Sequence, residues 1–404
     1  GFLGVWTGLL IFCAIVIKNK IGIKPLLYGL SGFLLITIIV GSPFNPSQSI
    51  KTAPVVDRLE QGGTESGEIR KIVWKGALNI WQGSQKNFWL GSGVETFAFS
   101  YYQYRPQEHN LVSEWDFLYN KAHNEYLNLL ATTGLIGLTS YLLFIIFFLI
   151  LCIRTFLKSK DLLLIGLSMG WLTILVTDFF GFSVVPVAIY FFLIPAFFVI
   201  KTQAVTGIKP EINNKKKFVL KIVSVALFFF TLFFIGKIWL ADYYYAKGYA
   251  LNRRQDYAEA LPELIKALQL RPNEPVYRDE ISYTLSLLAS LINEGETRDK
   301  ITEMAVNNSD IAVAVSPYNV SFWKNRTRVF NYLSSVDEKY LTDSLGAITI
   351  AHKLAPTDAK ISYNLALLLA KSGKKDEAVS FLKETLLLKP DYSEAREALL
   401  ILQK

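Results

Sequence analysis

The stretch Ala122-His123-Asn124-Glu125-Tyr126-Leu127-Asn128-Leu129-Leu130 leads from polar sequence directly into a long apolar segment. An apolar segment of that length is typical of a membrane helix, and His123 stands where such a helix would meet water. Histidine changes its charge near neutral pH, so a site at this boundary could transfer protons. We therefore take the helix that follows His123 as the centre of the fold.

The composition of the chain indicates a membrane protein. Hydrophobic residues make up 51% of the 404 residues, and the mean hydropathy is +0.30, which is too apolar for an ordinary soluble protein. The net charge of +8 does not indicate nucleic-acid binding, because many lysines and arginines stand in short clusters between apolar segments. Cys13 and Cys152 lie within apolar segments, so we predict neither a disulfide framework nor a cysteine-ligated zinc site.

Six membrane spans are predicted from apolar length and flanking charge. They cover residues 1–17, 25–40, 129–153, 162–180, 184–200 and 218–240. The basic clusters place residues 41–128 and everything from residue 241 onward outside the cytoplasm. We expect further spans before Gly1, because the sequence starts inside apolar sequence without an initiator methionine or a signal peptide.

Small and polar residues in the spans carry further predictions. Gly134 and Gly137 should allow neighbouring helices to approach closely. Pro186 and Pro195 should interrupt the helix that returns after the outer turn. Asp178 either contributes a polar group to the site or reaches lipid headgroups.

The long segment 41–128 contains one predicted amphipathic helix. Residues 45–67 are rich in Ser, Pro, Gly and Thr and are predicted to be irregular, whereas residues 68–81 show helical apolar spacing. Arg70, Lys71 and Lys75 lie on this helix. The aromatic residues that follow, between 81 and 104, fit either a belt at the membrane surface or a surface that stacks on sugars.

From residue 241 the sequence becomes charged and repetitive. Small residues and prolines recur at the positions of a tetratricopeptide repeat: Gly248, Ala260, Ala267 and Pro272 in the first unit, and Ala366, Gly373, Ala378 and Pro390 in the last. Three or four such repeats stack into a solenoid whose concave surface usually binds peptide or protein. The predicted fold is all-α, with a membrane domain at 1–240 and a repeat domain at 241–404.

Arg70 and His123 are the candidate catalytic residues. The sequence contains no P-loop, no complete dinucleotide fingerprint and no HExxH motif, so we expect neither a metal nor a nucleotide cofactor. A guanidinium binds a phosphate or diphosphate by paired hydrogen bonds, and an imidazole can take a proton from a hydroxyl. The alternative is that Arg70 and Lys71 bind lipid headgroups and that His123 caps a helix.

The ordered motifs of the first half resemble the O-antigen ligase and polymerase superfamily. The resemblance rests on Arg70 with Trp74, on Phe88-Trp89-Leu90-Gly91-Ser92-Gly93, on Ala122-His123-Asn124-Glu125-Tyr126-Leu127, and on Gly134-Leu135-Ile136-Gly137. It implies a glycosyltransferase of the bacterial plasma membrane that works without metal or nucleotide. The implied donor is an undecaprenyl-diphosphate-linked glycan, and the implied acceptor is a lipid, a polysaccharide or a protein.

The resemblance also implies roles for individual residues. Arg70 matches the arginine assigned to the donor diphosphate, and His123 matches the histidine thought to activate the acceptor hydroxyl. Lys71, Lys75, Trp74 and Asn124 are the second-tier candidates for substrate binding. Members of the superfamily usually have more spans and another arginine-containing motif before the helix that here begins at Gly1, so part of the donor groove is expected there.

Two other functions remain open on the sequence. The protein could be a protein O-oligosaccharyltransferase whose repeats present the polypeptide acceptor. Alternatively, it could be a non-catalytic membrane-anchored scaffold of repeats. Its expected partners are membrane lipids and a protein on the repeat surface, but no nucleic acid.

Overall fold

The computed structural model describes residues 56–158, 161–202 and 214–403, and within these ranges the chain forms helices and turns without any strand. The all-α fold is therefore confirmed for this part of the chain. Contacts divide the chain into two compact units, residues 1–208 and 209–404. The first two predicted spans, 1–17 and 25–40, lie outside the described residues.

One long and two short helices precede the first described membrane helix. They are α1 (Val56–Gln82), α2 (Gln85–Leu90) and α3 (Phe97–Tyr104), followed by a 3-10 turn at Gln107–Leu111. The amphipathic helix predicted at 68–81 is part of α1. The prediction that residues 45–67 are irregular is wrong from Val56 onward, where the chain is helical. Glycines such as Gly62 and Gly63 cost a helix only about 1 kcal/mol each and do not end it.

One face of α1 forms the core of this region. Ile69, Val73, Ala77 and Ile80 recur at helical spacing and are buried. They pack against Phe97, Tyr101, Tyr119, Ala122 and Ala131. Part of the aromatic run between residues 81 and 104 is therefore core packing, a role that neither of the two predictions, a membrane belt or a sugar-stacking surface, included. Trp89, in contrast, is 51% exposed.

Among the described residues, four helices are long and apolar enough to cross a membrane: α4 (Glu125–Lys158), α5 (Leu162–Phe179), α6 (Val185–Thr202) and α7 (Asn214–Arg253). They correspond to the last four predicted spans. Pro186 lies in the first turn of α6, where its missing N–H breaks no helical hydrogen bond. Pro195 is buried inside α6, so the interruption predicted at these prolines is wrong.

Helix α4 is broken at Gly134, whose backbone has φ 67° and ψ −168°. The break leaves helical carbonyls available, and the chain after α2 uses them. Ser92 N–H donates to the Ala131 oxygen at 3.0 Å, and Gly93 N–H donates to the Thr132 oxygen at 2.9 Å. A close approach was expected at Gly134, and the structure places the end of α2 there.

The second unit is a series of antiparallel helix pairs. After α7 come α8 (Tyr257–Leu270), α9 (Pro275–Leu291), α10 (Glu296–Val315), α11 (Val320–Leu333), α12 (Lys339–Leu354), α13 (Ala359–Lys371), α14 (Lys375–Leu388) and α15 (Ser393–Gln403). The pairs are α7 with α8, α9 with α10, α11 with α12, and α13 with α14. Ala260, Ala267, Ala366 and Ala378 are fully buried between helices, as repeat packing requires.

Candidate functional site

His123 lies in the turn directly before α4, with its side chain half-buried. Its backbone is left-handed, with φ 54°, a conformation that is uncommon outside glycine and that asparagine, aspartate and histidine adopt most often among the other residues. Two aromatic rings pack edge-on against the imidazole, Tyr119 at 5.5 Å and Phe182 at 5.3 Å between centroids. The imidazole is therefore fixed in position although it belongs to a turn.

The charge of Arg70 acts on His123. The pKa of His123 is lowered, first because partial burial removes water from the imidazolium and then because the Arg70 guanidinium repels a second positive charge. The Glu114 carboxylate opposes this shift. His123 is consequently neutral at neutral pH, the state in which an imidazole accepts a proton. The structure thus places the two predicted catalytic residues within electrostatic range of each other, while their roles stay predictions.

A hydrogen-bonded pair, Glu114 and Tyr119, supports the imidazole. The Tyr119 hydroxyl donates to Glu114 Oε2. Burial is the largest cause of the raised pKa of Tyr119, and this hydrogen bond is the second, so the phenol keeps its proton. Because the Tyr119 ring also packs on His123, the pair fixes both a ring and a negative charge near the imidazole.

His109 packs behind this pair and is fully buried. Its Nε2 lies 3.3 Å from the main-chain oxygen of Glu114, and its Nδ1 lies 2.7 Å from the Tyr101 hydroxyl. A carbonyl oxygen only accepts, so Nε2 carries the proton and Nδ1 accepts from Tyr101. Burial, with a smaller effect of Arg105, lowers the pKa of His109 to about 4. His109 is a neutral packing residue, not a second base.

Asn124, a predicted substrate contact, caps α4. Its Oδ1 accepts the main-chain N–H of Leu127 at 3.0 Å, and the side chain is buried. An asparagine at this position satisfies a donor that has no partner within the helix. The side-chain oxygen is already used, so the amide nitrogen is the group of Asn124 that is left to contact a substrate. The alternative in which His123 caps the helix is wrong, because Asn124 holds that position.

The turn between α5 and α6 closes over the start of α4. Phe182 packs on His123, and the main-chain N–H of Ser183 donates to Glu125 Oε2 at 3.1 Å. Trp74 of α1 meets the end of α5, with its ring edge-on to Phe179 at 5.9 Å. The turn between α5 and α6 therefore contacts both His123 and the start of α4, and α1 contacts the end of α5.

The three remaining second-tier candidates lie on α1 and differ in their surroundings. Lys71 and Lys75 are both exposed, and Lys75 Nζ forms an ion pair with Glu108 at 2.5 Å. Trp74 lies one turn after Arg70, on the same face of the helix. Its buried indole N–H has no acceptor within the described part of the chain. Within the described residues, Trp74 thus has an unsatisfied donor, whereas Lys75 is already paired.

Asp178 lies inside the helical bundle. It is 3% exposed, and the Tyr141 hydroxyl donates to its Oδ2 at 3.4 Å. A carboxylate buried in this way does not reach lipid headgroups, so that alternative is wrong. Its hydrogen bond joins α5 to α4.

Several residues of the site were not foreseen from the sequence: Glu114, Tyr119 and Phe182. Glu114 and Tyr119 lie a few residues before His123, where a carboxylate and a phenol near an imidazole could have been noticed. Phe182 belongs to a different helix connection, and no local pattern links it to His123.

Comparison with known families confirms the resemblance drawn from the motifs. Residues 1–142 match the family model described as O-Antigen ligase. Residues 241–274 and 359–392 match the model described as Tetratricopeptide repeat. No curated protein matches the chain.

Two solved structures are similar to parts of the chain. A Pseudomonas aeruginosa pilF structure is 16% identical, covers 41% of this chain and 69% of its own, and has a TM-score of 0.33. The yeast Tom70 structure is 12% identical, covers 98% of this chain and 78% of its own, and has a TM-score of 0.25. Scores this low carry no argument about this chain.

Proposed function

Because the chain joins an O-antigen ligase segment to tetratricopeptide repeats, we propose that it transfers glycan from an undecaprenyl-diphosphate-linked donor to an acceptor on the outer face of the bacterial plasma membrane. The observation that carries this proposal is the imidazole of His123, packed between Tyr119 and Phe182 before α4 with its pKa lowered by burial and by the charge of Arg70. The four apolar helices supply the membrane setting. The acceptor is a lipid, a polysaccharide or a protein.

In the proposed reaction, an acceptor hydroxyl attacks the anomeric carbon of the donor glycan. The new carbon–oxygen bond forms as the bond from that carbon to the diphosphate oxygen breaks, with inversion at the carbon. His123 takes the hydroxyl proton, and the undecaprenyl diphosphate leaves with the bonding electron pair. Arg70 stabilises the negative charge that develops on the leaving group.

Trp74 extends the donor contact in this proposal. Its indole N–H has no acceptor in the described part of the chain, and it lies one turn from Arg70. A diphosphate or sugar oxygen would satisfy this donor. Lys75 contributes less, because Glu108 already neutralises it.

Substitution of Arg70 tests the donor site. Arg70→Ala should lower the transfer rate by about a hundredfold, because removal of one group that stabilises developing negative charge typically costs at least that much. The measurement is glycan transfer by the purified membrane-inserted protein from an undecaprenyl-diphosphate-linked donor. Lys86→Ala, which removes an exposed cation from α2, is the matched control and should leave the rate unchanged.

Equal rates for Arg70→Ala and Lys86→Ala would contradict the assigned role of Arg70. If the cellular role also survived loss of both Arg70 and His123, but not loss of residues 241–404, the scaffold function would replace the enzymatic one.

The proposal also predicts a pH dependence. A general base must be unprotonated, so kcat/KM should rise with pH through the pKa of His123 and become level above it. Burial and Arg70 lower this pKa, so the level region should include neutral pH. Glu114→Gln removes the charge that favours the imidazolium, so the acidic limb should move to lower pH.

The glutamine amide oxygen can still accept from Tyr119, which keeps the ring in place. Glu68→Gln is the matched control, since Glu68 lies exposed on α1 and is not among the charges that shift His123. A limb that moves to higher pH in Glu114→Gln, or equally in both variants, would contradict His123 as the titrating base.

A further inference from the structure

A pocket of about 510 Å³ lies in the repeat region. Helices α9 and α11 pack directly against each other, but α11 and α13, the equivalent helices of the next two repeats, have little direct contact. The space between them is the pocket. It is bounded by α11 on one side and α13 on the other, with Ile348 of α12 beneath.

The pocket is positively charged. Its lining contains four basic side chains, Lys324, Arg328, Lys360 and Lys371, and no acidic one. Lys371 Nζ donates to Asn331 Oδ1 at 2.8 Å and to Ser334 Oγ at 3.1 Å. Two neutral oxygens at the end of α11 therefore fix the position of the Lys371 side chain, which comes from α13. Within the described ranges, neither Arg328 nor Lys371 forms an ion pair within 4.0 Å. In the described part of the chain, neither cation is therefore paired directly with a carboxylate.

Carboxylates lie beyond the pocket, not in it. Asp279 and Glu280 on α9 interact electrostatically with Arg328. Burial raises the pKa of Asp279 to about 8 and also raises the pKa of Glu280, so Asp279 is mostly protonated at neutral pH, and neither side chain lines the pocket. A ligand in the pocket would therefore place its negative groups near Arg328 and Lys371.

The floor and wall of the pocket are aliphatic. Ile348 and Leu368 are buried, and Leu367 is 41% exposed. Sugar rings present C–H faces that stack on aromatic side chains, and no aromatic side chain is among the residues that line this pocket. Aliphatic groups bracketed by cations instead match a polypeptide with both apolar and acidic side chains.

We propose that this pocket binds an acidic polypeptide segment in which aspartate or glutamate flanks leucine or a similar residue. The carboxylates pair with Arg328 and Lys371, and the apolar side chain rests on Leu367 and Ile348. This role goes beyond glycan transfer and does not depend on it. It gives the repeats a partner of defined charge.

Binding is measured on the full chain in detergent micelles, with a short fluorescent peptide of alternating glutamate and leucine as the probe. Lys371→Glu and Arg328→Glu should each weaken binding about tenfold or more, as expected for loss of a hydrogen bond between charged groups. Lys383→Glu, an equal charge reversal on the exposed side of α14, should leave the affinity unchanged. Added salt should weaken binding to the wild-type protein.

Two further probes keep the result interpretable if a variant folds poorly. The glutamine counterpart of the peptide should bind the wild-type protein about tenfold more weakly, and a lysine counterpart should prefer Lys371→Glu over the wild type. Equal affinity for the glutamate and glutamine peptides would overturn the proposal. Tighter binding of an oligogalacturonate than of the acidic peptide would also overturn it, since an anionic glycan would then be the ligand.

Discussion

Replacement of His123 by alanine should lower the rate of glycan transfer by about 10²–10⁴-fold, the usual contribution of a general base. The imidazole is held by Tyr119 and Phe182 and is neutral at neutral pH, so its removal leaves the acceptor hydroxyl without a proton acceptor. The same transfer assay, at saturating donor and acceptor, gives the effect on kcat.

A second variant separates chemistry from backbone strain at this position. His123→Asn should be as inactive as His123→Ala, although asparagine tolerates the left-handed backbone with φ 54° better than alanine does. His352→Ala removes a histidine from α12 and should retain the wild-type rate. Unchanged turnover in both His123 variants would remove the imidazole from the mechanism.

Replacement of Gly134 by alanine should destabilise the protein by about 2–6 kcal/mol, the sum of backbone strain and overpacking. An added Cβ would lie 2.4 Å from the Trp89 carbonyl carbon and 2.5 Å from the Leu90 nitrogen, and neither main-chain atom can move aside cheaply. Gly91→Ala should behave similarly, because its Cβ would lie 2.2 Å from the Thr132 carbonyl carbon. Thermal unfolding of the purified protein in detergent measures the loss.

Gly170→Ala is the matched control for the glycine variants. Gly170 is exposed on α5, and an added Cβ would meet no atom within 4 Å. Alanine also favours a helix by up to about 1 kcal/mol over glycine, so the unfolding temperature should stay the same or rise. If Gly134→Ala unfolded at the same temperature as Gly170→Ala, the contact between α2 and the break in α4 would not stabilise the fold.

The helices could be predicted from the sequence to the extent that they depend on local composition. The apolar lengths of α4 to α7 and the repeated alanines of the second unit are local patterns, and the four described spans were found from them. The start of α1 at Val56 was missed because glycine and serine content outweighed the helical spacing before residue 68. The break at Gly134 was missed because it depends on the docking of α2.

The candidate site was predictable in part for the same reason. Arg70 and His123 stand in ordered motifs, but the rings and charges that surround His123 come from distant parts of the chain. Phe182 contacts the imidazole from the turn between α5 and α6, and the side-chain oxygen of Asn124 caps α4. Such contacts arise from tertiary packing, which periodicity does not encode.

Helix α7 runs for 40 residues without interruption, and at a rise of 1.5 Å per residue it is about 60 Å long. Its first part is apolar enough to cross a membrane, and its last part is the opening helix of the repeats. No flexible linker separates the two within α7, so with the first part in a bilayer the repeats would stay rigidly attached to it. A polypeptide captured by them would be confined to a thin layer next to the bilayer, at an effective concentration far above its concentration in solution.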